Sequence, residues 1–295
     1  MNKCDISILI ATRNRPKMLA ACIRSLLTQK SEISYEIVVL DQSDAKKKRS
    51  FLPNEDGVRI VRCDFRNKSR ALNLGVHLCL SDYIAVLDDD CIAQEQWIES
   101  MYYALLSEPH TVVTGRVIAG DREEGAVRSR LHDDITERLV YQKKEITPIF
   151  KLSGCNFGFS KAVFKVVGPF NEDFGPGSLF RSSDDNEWSY RVLQCGLKIS
   201  YDPRVVIFHR SWRDKVTDTE LMRDYGYAAG AFFGFISNFS KRDFFYHSVR
   251  LWRWILGAVL FSFNRREIGN HLGYGVHFVQ GFRAYHYYVK QQKGD

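Results

Sequence analysis

The chain has 295 residues, which is enough for one large domain or two small ones. Its 45% hydrophobic and 26% charged residues are ordinary for a globular protein and exclude a disordered chain. The positive charge is concentrated at one end, because residues 1–208 carry 29 basic and 28 acidic side chains whereas residues 209–295 carry 13 and 7. Binding of anions through bulk charge is therefore expected in the C-terminal part.

Short apolar runs alternate with amphipathic stretches through the first 120 residues. Four of these runs have the length and the unbroken Val, Ile and Leu content of strands covered on both faces: 6–11, 36–40, 58–61 and 83–87. Apolar residues at helical spacing follow Pro16, Asn67 and Trp97. This alternation predicts an α/β fold with a mostly parallel, doubly wound sheet.

The sequence from 121 to 148 is polar and only weakly periodic, so we predict a long connection without a strand there. Beyond it we predict a helix over 183–194 and two strands at 198–201 and 205–208. The remaining tail is predicted to be helical, and it is rich in aromatic as well as basic residues. We therefore expect one domain over 1–210 and a C-terminal extension over 211–295.

The seven cysteines form an odd set without a C-x-x-C pair. This pattern predicts free thiols rather than disulfides or a thiolate zinc site, and it favours a reducing compartment. No segment approaches the roughly 20 unbroken apolar residues that a transmembrane helix requires. We therefore expect a cytoplasmic protein, either free or lying on the cytoplasmic face of a membrane.

Acidic residues directly follow two of the predicted strands. Asp88, Asp89 and Asp90 come after the run YIAVL, and Asp41 comes after EIVVL. Ligands of open α/β sheets bind beyond the carboxyl ends of the strands, and adjacent carboxylates repel one another unless a cation is present. Mg²⁺ or Mn²⁺ would suit these oxygen ligands. The alternative is that the acids form solvated turns or cap the following helices.

Three further features of the sequence are candidates for a site. Arg13 and Arg15 follow the first strand, where cations beside a metal would suit a diphosphate. Asp184 and Asp185 begin a predicted helix, either as helix caps or as a general base kept ionised by the helix N–H groups. His209 follows a strand and is either a ligand or a packed histidine.

The order and spacing of these motifs resemble a known family. The matching stretches are ISILIATRNRP, IVVLDQSD, NKSRALNLG, YIAVLDDDC, LSGCNFGFSKAVF and SSDDNEWSYRVLQCGLKISYDPRVVIFH, which together span about residues 4–210. They resemble the inverting glycosyltransferases of family 2, which have the GT-A nucleotide-diphospho-sugar fold. The resemblance implies metal-dependent transfer of a sugar, most readily from a UDP-sugar, to an acceptor hydroxyl.

The resemblance also implies which residues would hold the nucleotide. The segment after the first strand contacts the uracil in the family, which matches Thr12 and Arg15. Asp41 matches an aspartate that binds uracil, and Arg70 matches a basic residue near the nucleotide. The family motif Pro-Thr-Tyr-Asn stands here as Ala-Thr-Arg-Asn over residues 11–14.

Further roles at the acidic clusters follow from the same resemblance. Asp90 would bind the metal, and Asp88 or Asp89 would bind the ribose. Asp185 stands where the family has its catalytic base, although the preceding residue is aspartate here rather than glutamate. His209 matches a histidine that lies close to the metal or the diphosphate in some relatives. An ordinary aspartate pKa of about 3.9 would leave Asp185 ionised at neutral pH.

Two other classes of protein remain alternatives. A nucleotidyltransferase or a Mg²⁺-dependent phosphatase also places acids at strand ends, but the first needs a Gly-rich basic loop after strand one and the second an Asp-x-Asp. Residues 11–14 supply neither. A non-catalytic GT-A-like subunit of a membrane-associated complex would be expected to lack one of the acids.

The tail is predicted to bind an anionic membrane surface, since interfacial helices combine large apolar and basic side chains. The residues concerned are Phe232, Phe233, Phe235, Ile236, Phe239, Trp252, Trp254, Ile255, Leu256, Lys241, Arg242, Arg250, Arg253, Arg265 and Arg266. The alternative is that the aromatic residues pack against the catalytic domain or a second subunit. With a nucleotide-sugar donor, the expected acceptor is a glycan or a lipid-linked molecule in polysaccharide or glycolipid synthesis. No nucleic acid partner is expected, and a homo-oligomer is left open.

Overall fold

The computed structural model describes residues 4–44, 57–127, 133–261 and 265–294. Its strands are β1 Ile6–Thr12, β2 Tyr35–Asp41, β3 Val58–Arg62, β4 Tyr83–Leu87, β5 Cys91–Ala93, β6 Thr111–Arg122, β7 Leu139–Tyr141, β8 Asn156–Ser160 and β9 Lys198–Ser211. Its helices are α1 Pro16–Leu27, α2 Lys68–Leu78, α3 Trp97–Ser107, α4 Lys161–Val167, α5 Asp184–Gln194, α6 Lys215–Phe239, α7 Lys241–Phe261 and α8 Arg265–Lys293. All seven cysteines carry free thiols, as predicted.

The strands form one sheet in the order β3-β2-β1-β4-β8-β6-β9-β5, with β7 also paired to β9. Among the described strands, β1, β2, β3, β4, β6 and β9 run in one direction, and β5, β7 and β8 run in the other. The prediction of a mostly parallel α/β sheet is confirmed. Thr12 pairs with Asp41, and Leu9 pairs with Val86, so the acidic residues after β2 and β4 lie at the same edge.

Helices cover both faces of the sheet, which explains why its central strands read as unbroken apolar runs. Successive side chains of a strand point to opposite faces. Ile8 of β1 accordingly packs in one cluster with Cys22 of α1 and Trp97 of α3. Leu9 packs in the other cluster, with Leu72 of α2 and Trp188 of α5. The acidic edge is thus held by a sheet that is buried on both faces.

The structure corrects the prediction for residues 121–148. β6 extends to Arg122, and β7 pairs antiparallel with β9 within this stretch. The three residues of β7 leave Val140 half exposed, so they lack the apolar run by which the other strands were predicted. Residues 128–132 of the predicted connection lie outside the described part.

The two strands predicted at 198–201 and 205–208 are one strand, β9. Opposite it, Gly115 pairs with Asp202 and Arg116 pairs with Val206, so the pairing is irregular at this point. The Asn156 amide donates to the backbone oxygens of Arg116 and Val205 and holds the irregularity together. A proline and two charged residues interrupt the apolar pattern there, which explains why the sequence suggested a break.

The tail forms the helices α6, α7 and α8, as predicted for a helical extension. α6 and α8 approach each other closely, since a Cβ at Gly230 would lie 1.9 Å from the Phe278 carbonyl oxygen. α7 is attached through Asp243, whose carboxylate accepts a hydrogen bond from the Tyr190 hydroxyl at 2.8 Å. In the part of the chain that is described, no helix combines the length and the apolar character needed to span a membrane.

The structure also corrects the list of residues expected at a membrane. Phe232, Phe233, Phe235 and Ile236 are buried in a cluster that includes Phe174, Phe180 and Tyr190. Helix α6 therefore uses these residues to pack against the rest of the protein, as the alternative interpretation had it. Ile255 is buried as well, whereas Phe239, Trp252, Trp254 and Leu256 are exposed. The side chains of Arg265 and Arg266 lie outside the described residues.

Candidate active site

The first acidic cluster begins where β4 ends, and Asp89 is held by the end of β1. The Thr12 hydroxyl donates to Asp89 Oδ2 at 2.6 Å, and the Arg15 guanidinium donates to Oδ1 at 2.9 Å. Burial raises the pKa of Asp89 to about 6, with the Arg15 charge opposing this rise and the Asp90 charge adding to it. Two residues predicted to contact the nucleotide thus lie directly against the acidic cluster.

Asp88 is paired with Lys68, a residue that the sequence interpretation missed. The Lys68 ammonium lies 2.6 Å from Asp88 Oδ1 and also donates to the Gly154 carbonyl oxygen at 3.3 Å. Burial disfavours its charge, but Asp88 and Asp184 more than offset this and raise the pKa of Lys68. Lys68 therefore stays charged between the two acidic clusters.

Arg70, which was predicted to lie near the nucleotide, is not on the side of α2 that Lys68 turns towards the acids. It is two residues beyond Lys68 on α2 and therefore points to another side of the helix. Its guanidinium stacks on the Phe65 ring at 4.3 Å. Two basic residues, Lys68 and Arg70, lie in this turn of α2. Only the orientation of the helix relative to the sheet shows that Lys68 is the one beside the acids.

Asp41 lies one strand away from the first cluster and is buried. Its carboxylate accepts hydrogen bonds from Arg62 at 2.7 Å and from the Ser43 backbone N–H at 2.8 Å. Burial opposes ionisation, but these bonds dominate and lower the pKa of Asp41. The carboxylate is therefore ionised and oriented at the edge where Thr12 ends β1.

Asp90 and His209 form a candidate metal site. His209 is opposite Cys91 in the pairing of β5 with β9, so its Nε2 atom lies 3.6 Å from Asp90 Oδ1. Two ligand atoms that share a cation at about 2.1 Å each can be at most about 4.2 Å apart, so this spacing fits. The Cys91 sulfur also lies within ligand range, but a soft sulfur suits Mg²⁺ or Mn²⁺ less well than oxygen and nitrogen do.

The other oxygen of Asp90 is surrounded by donors. The Trp212 indole N–H donates to Oδ2 at 2.9 Å, and the guanidinium groups of Arg15 and Arg213 lie 3.4 Å and 3.9 Å from it. Burial works against ionisation of Asp90, but His209, Arg15, Trp212 and Arg213 together lower its pKa. Trp212 and Arg213 were missed because they lie just beyond β9, in a segment without a recognisable motif.

The second acidic cluster begins α5 after an unusual turn. Ser183, immediately before the helix, has φ of 66°, as does Arg181, and this left-handed region is uncommon for residues other than glycine. Asp185 Oδ2 accepts a hydrogen bond from the Gly154 backbone N–H at 3.1 Å, and Oδ1 accepts one from the Asn186 N–H at 2.8 Å. A Cβ at Gly154 would lie 2.7 Å from Asp185 Oδ2, so this close contact requires glycine.

Asp185 has a strongly perturbed acidity. Burial, followed by the charge of Asp184, raises its pKa to about 7, while Lys68 and the N–H donors of Asn186 and Gly154 oppose the rise. Burial also raises the pKa of Asp184. Asp185 is therefore only partly ionised at neutral pH, in contrast to an ordinary aspartate. A carboxylate whose pKa lies near the operating pH is well suited to general base catalysis.

Lys68 and Gly154 join the two clusters into one site. The Gly154 carbonyl accepts a hydrogen bond from Lys68, which pairs with Asp88, and the Gly154 N–H donates to Asp185. Tyr225 of α6 belongs to the same electrostatic environment. Burial raises the pKa of its hydroxyl, with the charge of Arg213 lowering it and that of Asp185 raising it. Helix α6 thus comes close to the site.

An α/β sheet with acidic clusters at its carboxyl edge is typical of enzymes that bind nucleotides there. Residues 7–168, more than half of the chain, match glycosyl transferase family 2, and the chain belongs to this family. The family predicted from the sequence is confirmed, and with it the assignment to a family of transferase enzymes.

Several characterised proteins are similar to this chain. Hyaluronan synthase of Pasteurella multocida is 30% identical over 250 residues, covering 73% of this chain and 25% of that protein. Chondroitin synthase of Escherichia coli is 24% identical over 253 residues, covering 73% and 36%. The chain therefore spans about a quarter to a third of these synthases. Glycosyltransferase GlyG of Streptococcus pneumoniae serotype 4 is 25% identical over 226 residues, covering 73% and 74%.

One solved structure shows the same kind of fold. The crystal structure of GalNAc-T7 with UDP, GalNAc and Mn²⁺ superposes with a TM-score of 0.54 at 16% sequence identity. The similarity covers 78% of this chain and 51% of that one. It confirms the GT-A type of α/β fold that the sequence predicted.

Proposed function

We propose that this protein transfers a sugar from a nucleotide-diphosphate donor, with a UDP-sugar favoured, to an acceptor hydroxyl and inverts the anomeric centre. The observation that carries the proposal is the pairing of two acidic clusters at one sheet edge. One cluster has a ligand pair for a divalent cation, and the other has a carboxylate with a pKa of about 7. Lys68 and Gly154 connect them, so both can act on one bound substrate.

The donor would lie over the first cluster. Thr12, Arg15, Asp41 and Arg70 are proposed to contact the nucleotide, as the family resemblance implies. Asp88 or Asp89 would accept hydrogen bonds from the ribose hydroxyls, since ionised carboxylates are strong acceptors. Arg15 also faces the position expected for the diphosphate, because its guanidinium lies between Asp89 and Asp90.

Asp90 and His209 would hold Mg²⁺ or Mn²⁺ through one carboxylate oxygen and one imidazole nitrogen. A cation bound there would stabilise the negative charge that grows on the departing diphosphate. The surrounding chain supports this use of Asp90, because its lowered pKa keeps it ionised and ready to bind. His209 reaches Asp90 from the neighbouring strand rather than from a loop, which fixes the spacing of the pair.

Asp185 would take the proton of the acceptor hydroxyl while the oxygen attacks the sugar from the side opposite the nucleotide. The carboxylate is held by two backbone N–H groups, which fix its orientation while the proton is transferred. Relatives include enzymes named as hyaluronan and chondroitin synthases. By analogy, the acceptor is proposed to be a glycan or a lipid-linked molecule in polysaccharide or glycolipid synthesis.

A donor screen tests the enzymatic proposal. Melting temperatures of the full chain are measured with UDP-, GDP- and dTDP-sugars, each with Mn²⁺ and with a chelator. We expect a UDP-sugar to stabilise the protein only with Mn²⁺, and we expect the Asp90→Asn variant to lose this stabilisation. If no nucleotide sugar stabilises the wild-type protein under any condition, the proposal fails.

The protein is further proposed to lie on the cytoplasmic face of a membrane through helix α7. Five of its exposed apolar residues recur every three or four positions and thus form one helix face: Phe245, Val249, Trp252, Leu256 and Leu260. Arg250 and Arg253 line the same groove as Phe245 and Val249. Apolar side chains beside cations suit an anionic lipid surface, where each basic residue contributes about 1 kcal/mol.

Vesicle flotation of the full chain tests the membrane proposal. We expect recovery with vesicles containing an anionic lipid, weaker recovery with neutral vesicles, and loss of binding in the Leu256→Glu variant. Val166→Glu is the matched control, because Val166 is similarly exposed but lies on α4. Equal recovery with both kinds of vesicle, or concentration-dependent self-association that Leu256→Glu abolishes, would contradict the proposal.

A further inference from the structure

Trp212 occupies an unusual position next to the candidate metal ligand. It follows β9 directly and precedes α6, and its indole N–H donates to Asp90 Oδ2 at 2.9 Å. The other oxygen, Oδ1, is the one that lies 3.6 Å from His209 Nε2. The two oxygens of Asp90 therefore have different tasks, because one is held by the indole and the other faces the histidine.

Two arginines contact the indole ring of Trp212. The guanidinium of Arg15 lies 4.4 Å from the ring centre of Trp212, and that of Arg213 lies 4.6 Å from it. Cations stack favourably on an indole face, so the two arginines fix the plane of the ring. Both also approach Asp90 Oδ2, at 3.4 Å and 3.9 Å. The stack thus keeps the indole N–H and two positive charges beside one oxygen of the carboxylate.

We propose that Trp212 is a positioning residue, which holds Asp90 so that Oδ1 stays turned towards His209 and a divalent cation. The inference rests on the proposed metal site and assigns its geometry to a residue outside the acidic motif. Without the indole N–H, Asp90 would be free to rotate, and Arg15 and Arg213 could bind both of its oxygens. Cation binding would then have to displace an arginine.

The packing of Trp212 favours this role over one in the protein core. The indole is only partly buried, and its ring contacts are the two guanidinium groups. Phenylalanine at this position would keep an aromatic ring beside the arginines and lose the N–H donor. Groups that orient a metal ligand typically change metal affinity by about 10- to 100-fold when they are removed.

Calorimetric titration of the full chain with Mn²⁺, without donor, tests the proposal. We expect Trp212→Phe to bind Mn²⁺ at least about tenfold more weakly than the wild type, with an unchanged melting temperature in the absence of metal. Trp254→Phe is the matched control and should bind as the wild type does, since Trp254 lies on α7 and packs against His271 and Tyr274. Unchanged Mn²⁺ affinity of Trp212→Phe would overturn the proposal.

Tryptophan fluorescence gives a second readout that does not depend on how well the Trp212→Phe variant folds. Mn²⁺ is paramagnetic and quenches a nearby indole, so wild type and Trp254→Phe should both lose emission on titration, and Asp90→Asn should not. Calorimetry could detect Mn²⁺ binding that is lost in Asp90→Asn while Mn²⁺ leaves the fluorescence unchanged. That result would refute the role of Trp212 but not the metal site. If the wild type binds no Mn²⁺ with or without UDP, the metal site itself and this inference with it are refuted.

Discussion

The acidity of Asp185 gives the sharpest prediction. With a pKa of about 7, roughly a tenth of the enzyme carries the ionised base at pH 6 and roughly nine tenths at pH 8. We therefore expect kcat/KM to rise about tenfold between these two pH values and to level off above them. An aspartate with an ordinary pKa of about 3.9 would give the same rate at both.

Two variants should move this rise in opposite directions. Asp184→Asn removes the carboxylate whose charge raises the pKa of Asp185, so the rise should move to lower pH by about one unit. The ratio of rates at pH 8 and pH 6 would then fall from about ten to about two. Lys68→Met removes a cation that favours the ionised base, so the rise should move to higher pH.

The assay is the initial rate of nucleotide release at low donor concentration, measured between about pH 5 and pH 9. Melting temperatures recorded at each pH show whether the variants remain folded, and rates are compared only where they do. A flat profile for the wild type would refute the assignment of Asp185 as a base with raised pKa. A shift of both variants in the same direction would refute the charge arrangement derived for the site.

The other predictions concern single contacts of the site. Asp185→Asn should lower the rate by about 10² to 10⁴ with little change in donor affinity, and it should raise the melting temperature at pH 8, because it removes a buried, repelled carboxylate. Asp90→Asn should weaken Mn²⁺-dependent UDP binding in calorimetry, since the diphosphate would face the remaining carboxylates without a cation. Gly154→Ala should reduce turnover strongly, because its Cβ would lie 2.7 Å from Asp185 Oδ2, whereas Gly273→Ala on α8, where a Cβ would meet nothing within 4 Å, should not. Normal turnover of Gly154→Ala would show that this contact does not position the base.

The sequence predicted those parts of the fold that are buried on both faces. β1, β2 and β4 are continuous apolar runs because helices cover them on either side. β7 was missed because it pairs through its backbone at the side of β9 and buries little apolar surface. In the tail, composition alone did not distinguish the buried aromatic residues of α6 from the exposed ones of α7.

The same distinction applies to the site. The acids at strand ends were found because a strand end is visible in the sequence, and the order of the strands then places the acids at one edge. Lys68 and Trp212 could not be found in this way. The choice between Lys68 and Arg70 depends on the phase of α2 relative to the sheet, and Trp212 reaches Asp90 only because the chain turns after β9.

The measurement that tests the central proposal most directly is Mn²⁺-dependent release of UDP from UDP-sugars by the full chain. We predict that the wild type releases UDP and that a chelator abolishes this release. Asp185→Asn should release UDP at a rate about 10² or more lower, and Asp90→Asn should lose the release that Mn²⁺ supports. No release from any nucleotide sugar with any acceptor tested, or release by Asp185→Asn at the wild-type rate, would contradict the proposed mechanism.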